Sequence, residues 1–216
     1  MDKGEILKQT GEYVREKLEG EGSGHDWWHV DCVRKTALYI AKHEKADSYI
    51  VELGALLHDI ADWKFTGGDE TVAPKLAKDW LEKLNADKEV VDHVCHIIKD
   101  ISFKGAGVQT QMHTTEGKIV QDADRLQALG AIGIARCFAY GGSKGREIWN
   151  PNDKPVMHQT FEQYKSSKGN SLNHFYEKLL LLKDRMNTAT GKKLAEERHA
   201  VMEQFLSQFY KEWNLK

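Results

Sequence analysis

The sequence predicts an all-α fold that forms a single domain over residues 1–216. Its 216 residues include only three prolines, so long stretches of chain are free to be helical. Apolar residues recur at helical spacing, as at Val90, Val91, Val94, Ile97 and Ile98. No segment shows the sustained apolar and polar alternation of a β-strand. Together these observations favour helices throughout the chain.

Eight helices are predicted in chain order. The first two span 3–19 and 26–45, and the side chain of Asp26 is suited to cap the second. The third spans 48–61, with Ser48 as its cap, and its apolar run ends at Leu57. Ser171 is the expected cap of the seventh helix. The remaining helices are predicted at 71–85, 88–101, 115–139, 171–187 and 191–213.

Two segments are predicted to be loops, at 102–112 and 140–158. The second is rich in glycine, proline and asparagine. Long loops in a compact domain often carry function. No repeat or linker divides the chain, so residues of about 20–140 are expected to form the functional core. The C-terminal helices of about 171–213 are expected to pack on that core.

Composition excludes several classes of function. Lysine and arginine number 31 against 33 acidic residues, so the net charge of −2 gives no general attraction to nucleic acid or to an anionic membrane. The three cysteines form no CxxC pair, which is typical of reduced thiols. The N-terminal residues lack the apolar core of a signal peptide, and no apolar run is long enough to span a membrane. We expect a cytoplasmic monomer or homodimer that binds a small molecule.

Histidines and carboxylates on three predicted helices could together bind a metal ion. The candidates are His25 and His29 at a spacing of four, the adjacent pair His58 and Asp59, and one of Asp122 and Asp124. Each alone is unremarkable, because a single helical histidine is usually a surface or satisfied core residue. As a set, two imidazoles and two carboxylates suit a divalent first-row ion and leave positions for water and phosphate. Asp122 lies two residues before Asp124 and therefore points to another side of the helix.

These residues and their neighbours resemble a known family. The order His29, His58-Asp59, Asp124 is similar to the H…HD…D signature of the HD-domain metal-dependent phosphohydrolases. The surrounding stretches resemble one bacterial branch of that family, from about residue 5 to the end of the chain. The stretches are GHDWWHV, LLHDIADWKF, IIKDISF, KIVQDADRLQALGAIGIAR and NHFYEKLLLLKDRMNT. This branch is similar to enzymes that remove pyrophosphate from nucleoside triphosphates.

The resemblance implies a helical HD-domain fold with one divalent metal ion in its core. Carried over residue by residue, the ligands are His29, His58, Asp59 and Asp124, and Mn²⁺ is the favoured ion, with Mg²⁺, Co²⁺, Fe²⁺, Zn²⁺ and Ni²⁺ as alternatives. The implied activity is hydrolysis of (deoxy)nucleoside triphosphates with release of pyrophosphate. Relatives commonly carry arginine where this chain has Cys32, so details of substrate binding are expected to differ.

Further residues are expected to assist the metal. Asp62 is the candidate catalytic base, although a surface acid at a helix end is an equal interpretation. Lys64, His96, His174 and Lys178 are the candidate substrate-binding groups, because phosphate needs cations beyond the metal. For Lys178 the plain alternative is a solvated lysine on an amphipathic helix.

Three other functions stay open at this stage. A 5′-nucleotidase would use the same metal site on monophosphates. A non-catalytic metal- or nucleotide-binding module would keep the fold without turnover. A di-iron oxygenase would need a second set of ligands, and His93 with His96 is the obvious supply.

Overall fold

The computed structural model describes residues 1–61 and 67–215, which form ten α-helices and no β-strand. The all-α prediction is therefore confirmed. None of these helices combines the length and the apolar content that crossing a bilayer would require. The helices are α1 (Lys3–Leu18), α2 (Trp27–Glu44), α3 (Ser48–Leu57), α4 (Val72–Lys83), α5 (Lys88–Asp100), α6 (Thr115–Gln127), α7 (Gly130–Ser143), α8 (Phe161–Lys165), α9 (Asn173–Glu177) and α10 (Ala189–Trp213).

Helix α3 lies between two apolar cores. Leu53, Leu56 and Leu57 belong to the core that α3 forms with α1, α4 and α5. Val51 and Ala55 belong to the second core, which α3 forms with α2, α6 and α10. A helix that is apolar on all sides is buried on all sides. Residues at the C-terminal end of α3 are therefore held in a rigid part of the molecule.

The predicted caps are correct at one of three positions. The carboxylate of Asp26 accepts a hydrogen bond from the backbone N–H of His29, as expected for the cap of α2. Asp47 takes the role predicted for Ser48, because its carboxylate accepts from the N–H of Tyr49. Ser171 is not a cap either, since the side chain of Asn170 accepts from the N–H of Asn173 at the start of α9. The last two predictions were wrong by one residue.

The single helix predicted at 115–139 is wrong, because the chain turns between α6 and α7. Gly130 has a φ of +70°, a conformation that favours glycine. Gly133 lies against the turn, and a β-carbon there would come within 2.3 Å of the carbonyl carbon and oxygen of Ala128. The apolar period continues through this region in sequence, so periodicity alone does not reveal the turn.

We expect Gly133→Ala to destabilise the protein by about 2–4 kcal/mol, because backbone atoms of Ala128 must move to admit the methyl group. Urea denaturation followed by circular dichroism measures the effect. Gly142→Ala is the matched control in the same helix, since its β-carbon would meet nothing within 4 Å. The control should gain about 0.5–1 kcal/mol from helix propensity. Equal stability of Gly133→Ala and wild type would contradict the close approach.

The helix predicted at 171–187 is also wrong. Ser171 and Leu172 donate backbone hydrogen bonds to the carbonyls of Glu147 and Ile148, which lie outside any helix. Only the short α9 follows, and Lys178 then leaves helical geometry with φ −141° and ψ −59°. The chain continues in two 3₁₀ turns, Leu179–Leu181 and Lys183–Arg185. This break allows Lys178 and its neighbours to line a cavity, as described below.

Candidate metal centre and adjoining cavity

Three helices bring the four predicted ligands together. His29 is the third residue of α2, and Asp124 lies on α6. His58 and Asp59 directly follow α3, where Leu56 and Leu57 are fully buried. The buried leucines fix the end of α3, so the adjacent imidazole and carboxylate project from a rigid support.

The ligand atoms converge on one point between the helices. His29 Nε2 lies 3.3 Å from His58 Nε2 and 3.3 Å from Asp59 Oδ2. His58 Nε2 lies 3.6 Å from the same Asp59 oxygen. Asp124 Oδ1 lies 3.6 Å from the His29 nitrogen and 3.8 Å from the His58 nitrogen. His29, His58 and Asp59 form a compact triad, and Asp124 closes one side of it.

The distances between the ligand atoms, and the lone pairs that these atoms do not use within the protein, fit a divalent ion. Ligands at about 2.1 Å from one ion are about 3.0 Å apart in octahedral and about 3.4 Å apart in tetrahedral geometry, close to the triad distances. His58 Nδ1 lies 2.7 Å from the carbonyl oxygen of Ala55, which places the proton on Nδ1 and leaves the Nε2 lone pair free for the site. Asp59 Oδ2 is buried and has no hydrogen-bond partner among the described residues. A bound cation would satisfy both atoms.

The ionisation of these groups also suits a metal. Burial lowers the pKa of His29, which favours the neutral, ligating imidazole at neutral pH. Burial alone would raise the pKa of Asp59, but the neighbouring His58 and His29 outweigh it and hold that pKa well below its usual range. The same two histidines overcome burial and lower the pKa of Asp124. Metal ligands must be deprotonated, and the direction of each of these pKa shifts favours that form.

Asp122 does not face this centre. Its buried carboxylate accepts hydrogen bonds from Asn187 and Thr188 at the start of α10. Asp122 and Asp124 therefore point to different sides of α6, as their spacing predicts.

Two neighbouring cavities lie at the candidate metal centre and beside it. The smaller, of about 60 Å³, is lined by His58, Asp59 and Asp124. The larger, of about 210 Å³, lies between α7, α8 and α9. Five residues line both cavities, so the two share a wall: His25, Ala128, Arg136, Tyr164 and Lys178.

Four cationic side chains and two tyrosine rings are among the side chains that line the larger cavity. Arg136 and Lys178 lie on the wall shared with the metal centre, and Arg146 and Lys165 lie farther along. The guanidinium of Arg136 is held by hydrogen bonds to the carbonyls of Gly24 and Gln127. Tyr140 and Tyr164 add two aromatic rings. Cations suit phosphate oxygens and aromatic rings suit the face of a nucleobase.

The candidate substrate-binding residues are not all placed together. His174 and Lys178 line the larger cavity, and the His174 ring stacks on Tyr164 with centroids 6.4 Å apart. His96 is exposed on α5, its Nδ1 is bonded to the Asp92 carbonyl, and it lines neither cavity. The expectation that His96 lies near the site is therefore wrong, because that edge of α5 faces solvent. Asp62 and Lys64 lie outside the described residues.

His93 does not join the site as a second ligand. Its Nε2 is 2.9 Å from Thr114 Oγ1 and 3.8 Å from Glu116, at the start of α6. With His96 exposed, the suggested supply for a second metal ion does not converge on the triad within the described residues. Arg34 pairs with Asp31 and Glu52. Arg34 lines neither of the two cavities.

Several residues that line the larger cavity are not predicted from the sequence. They are Arg136, Tyr140, Arg146, Tyr164 and Glu177. Arg136 ends the quoted stretch GAIGIAR, so family resemblance could have indicated it. The others lie on α7 or on the segments after it, and no periodicity predicts which side chains a loop turns inward.

Comparison with known proteins identifies close relatives of this chain. The HD domain matches residues 29–129, a range that begins at His29 and includes all four candidate ligands. The uncharacterized protein YpgQ of Bacillus subtilis is 41% identical over 208 residues, which are 95% of this chain and 92% of YpgQ.

Solved structures share the fold over the full length of the chain. A crystal structure of a Lactobacillus plantarum protein covers 100% of both chains at 38% identity, with a TM-score of 0.90. A Bacillus thuringiensis protein described as an HD-superfamily hydrolase covers 100% of both chains at 46% identity, with a TM-score of 0.75. YpgQ was crystallised in complex with ADP, and that structure covers 95% of this chain and 97% of its own at a TM-score of 0.74.

Proposed function

This chain belongs to the HD-domain hydrolases, and from that membership we propose that it is a metal-dependent phosphohydrolase of nucleotides. The reaction that we propose is hydrolysis of a phosphoanhydride of (deoxy)nucleoside triphosphates with release of pyrophosphate. Mn²⁺ is the ion that we favour. The observation that carries the proposal is that the cavity at the cluster of His29, His58, Asp59 and Asp124 shares a wall, which includes Arg136 and Lys178, with a larger neighbouring cavity.

The four ligands would hold the metal ion, and the rest of the chain would hold the substrate. When bound, a divalent ion of this kind polarises a phosphoryl oxygen and lowers the pKa of a coordinated water. Arg136 and Lys178, on the wall that the two cavities share, are placed to neutralise phosphate charge near the cluster. His174 and Arg146 line the part of the cavity beyond them.

The rigidity of the site supports catalysis over binding alone. His58 is fixed at Nδ1 by the Ala55 carbonyl, and Arg136 is fixed by two backbone carbonyls, so neither group must reorganise when charge develops. ADP bound to YpgQ, a relative of 41% identity, supports a nucleotide as the ligand class.

The proposal is tested by assaying release of phosphate and pyrophosphate from purified protein. The panel contains ribo- and deoxyribonucleoside mono-, di- and triphosphates with Mn²⁺, Mg²⁺, Co²⁺ or EDTA. We expect metal-dependent pyrophosphate release from triphosphates and none in EDTA. Orthophosphate from monophosphates would instead identify a 5′-nucleotidase on the same metal site. Absence of any release by protein that holds a metal ion would refute nucleotide hydrolysis.

A further inference from the structure

We propose that Glu177 selects the nucleobase and gives the cavity a preference for guanine. The inference rests on the proposed function only in taking the ligand to be a nucleotide. It concerns the larger cavity, where no role has been assigned to an acidic residue.

The carboxylate of Glu177 lines the larger cavity, and one of its oxygens accepts no hydrogen bond from the described residues. Glu177 is the last residue of α9 and is only 4% exposed. Its Oε1 accepts a hydrogen bond of 3.0 Å from the backbone N–H of Val156. Its Oε2 lies 4.0 Å from His158 Nε2, which is within ion-pair distance but beyond hydrogen-bond distance. A carboxylate oxygen on a cavity wall that lacks a hydrogen-bond donor can accept one from a ligand.

The position of Glu177 corresponds to the nucleoside end of a bound nucleotide. Three of the four candidate metal ligands, His58, Asp59 and Asp124, line the smaller cavity, and Glu177 lines only the larger one. Arg136 and Lys178 lie on the wall between, where phosphates are expected. A nucleotide with its phosphates at this wall would extend its nucleoside into the larger cavity. The rings of Tyr140 and Tyr164 line that space and offer stacking surfaces for a base.

An ionised carboxylate only accepts hydrogen bonds, and this favours guanine among the common bases. Guanine presents two adjacent donors, N1–H and the 2-amino group, which match one carboxylate. Adenine places the acceptor N1 beside its amino group, and uracil and thymine flank their single N–H with two carbonyl oxygens. Each of those acceptors would face a negative oxygen. A ribose diol is the other part of a nucleotide with two neighbouring donors, so the test must separate base from sugar.

The test measures affinity without turnover. Titration calorimetry with Mn²⁺ gives Kd for GDP, dGDP, IDP and ADP, for wild type and for Glu177→Gln. Glutamine can still accept from Val156 but adds an N–H donor, which opposes guanine and suits adenine. We expect wild type to bind GDP and dGDP about 10- to 100-fold more tightly than ADP, with IDP between them. Glu177→Gln should lose most of that ratio and keep its affinity for ADP.

The controls separate base selection from a structural role. Glu162→Gln changes an exposed acid on the neighbouring α8 and should leave all four affinities unchanged. Equal wild-type affinities for GDP and ADP would overturn the inference, as would equal losses for both in Glu177→Gln. A loss that follows the 2′-hydroxyl, weakening GDP but not dGDP, would assign Glu177 to the sugar and also overturn it. Guanine selectivity in a protein that hydrolyses no nucleotide would keep this inference and refute only the proposed reaction.

Discussion

Asp59→Ala is expected to abolish tight binding of a divalent metal ion and to lower kcat/KM for nucleotide hydrolysis by about 10³-fold or more. The Asp59 carboxylate is one corner of the triad, 3.3 Å from His29 Nε2 and 3.6 Å from His58 Nε2. Its removal leaves two imidazoles and the more exposed Asp124 to hold a dication. It also removes the nearest negative charge from two buried histidines.

Metal content and thermal stability measure this effect independently of activity. Wild-type protein should bind one Mn²⁺ per chain and melt at a higher temperature when Mn²⁺ is added, because a ligand of the folded state stabilises it by mass action. Asp59→Ala should show neither behaviour. Asp92→Ala, which changes an exposed acid on α5, is the control and should match wild type. A variant that lacks Asp59 but still binds one Mn²⁺ tightly would show that the ion lies elsewhere.

The metal cluster was the part of the site most accessible from sequence. His58 and Asp59 follow an apolar run that has to be buried, so their polar groups need a partner wherever the helix packs. Such a local conflict between burial and polarity is visible without any structure. The partners His29 and Asp124 came from the order of the family motif, which periodicity alone does not give.

The cavity and the helix breaks were less accessible because tertiary contacts determine them. The apolar period runs unbroken through the sequence of α6 and α7, yet Gly130 adopts a positive φ and the chain turns. Lys178 lies in a sequence with the pattern of one amphipathic helix. At the start of that stretch, Ser171 and Leu172 instead donate backbone hydrogen bonds to Glu147 and Ile148, which lie 24 residues earlier in the chain. Residue spacing alone could not show that the edge of α5 that carries His96 faces solvent and not the site.

Asp122→Ala is expected to have the opposite effect to Asp59→Ala, with metal binding retained and the free energy of unfolding reduced by about 3–5 kcal/mol. The Asp122 carboxylate is fully buried. It accepts hydrogen bonds of 2.8 Å from the backbone N–H groups of Asn187 and Thr188, from Asn187 Nδ2 and from Thr188 Oγ1. Alanine would leave the two backbone N–H groups without their acceptor and release the start of α10 from α6.

A second substitution in the same hydrogen-bond network, at Thr188, separates the contribution of the Asp122 carboxylate from that of the cap of α10. Thr188 Oγ1 donates to Asp122 and also caps α10 by accepting from the N–H of Gly191. Thr188→Ala should therefore cost about 1–2 kcal/mol, less than Asp122→Ala, because both backbone donors keep their carboxylate. Urea denaturation in EDTA ranks wild type, Thr188→Ala and Asp122→Ala, and Mn²⁺ titration below the melting temperature tests the metal centre. Loss of Mn²⁺ binding at full stability in Asp122→Ala would assign this carboxylate to the metal instead. If Asp122→Ala retains the ion but is less stable, Asp122 stabilises the fold and Asp124 serves the metal centre, although the two carboxylates lie only two residues apart on α6.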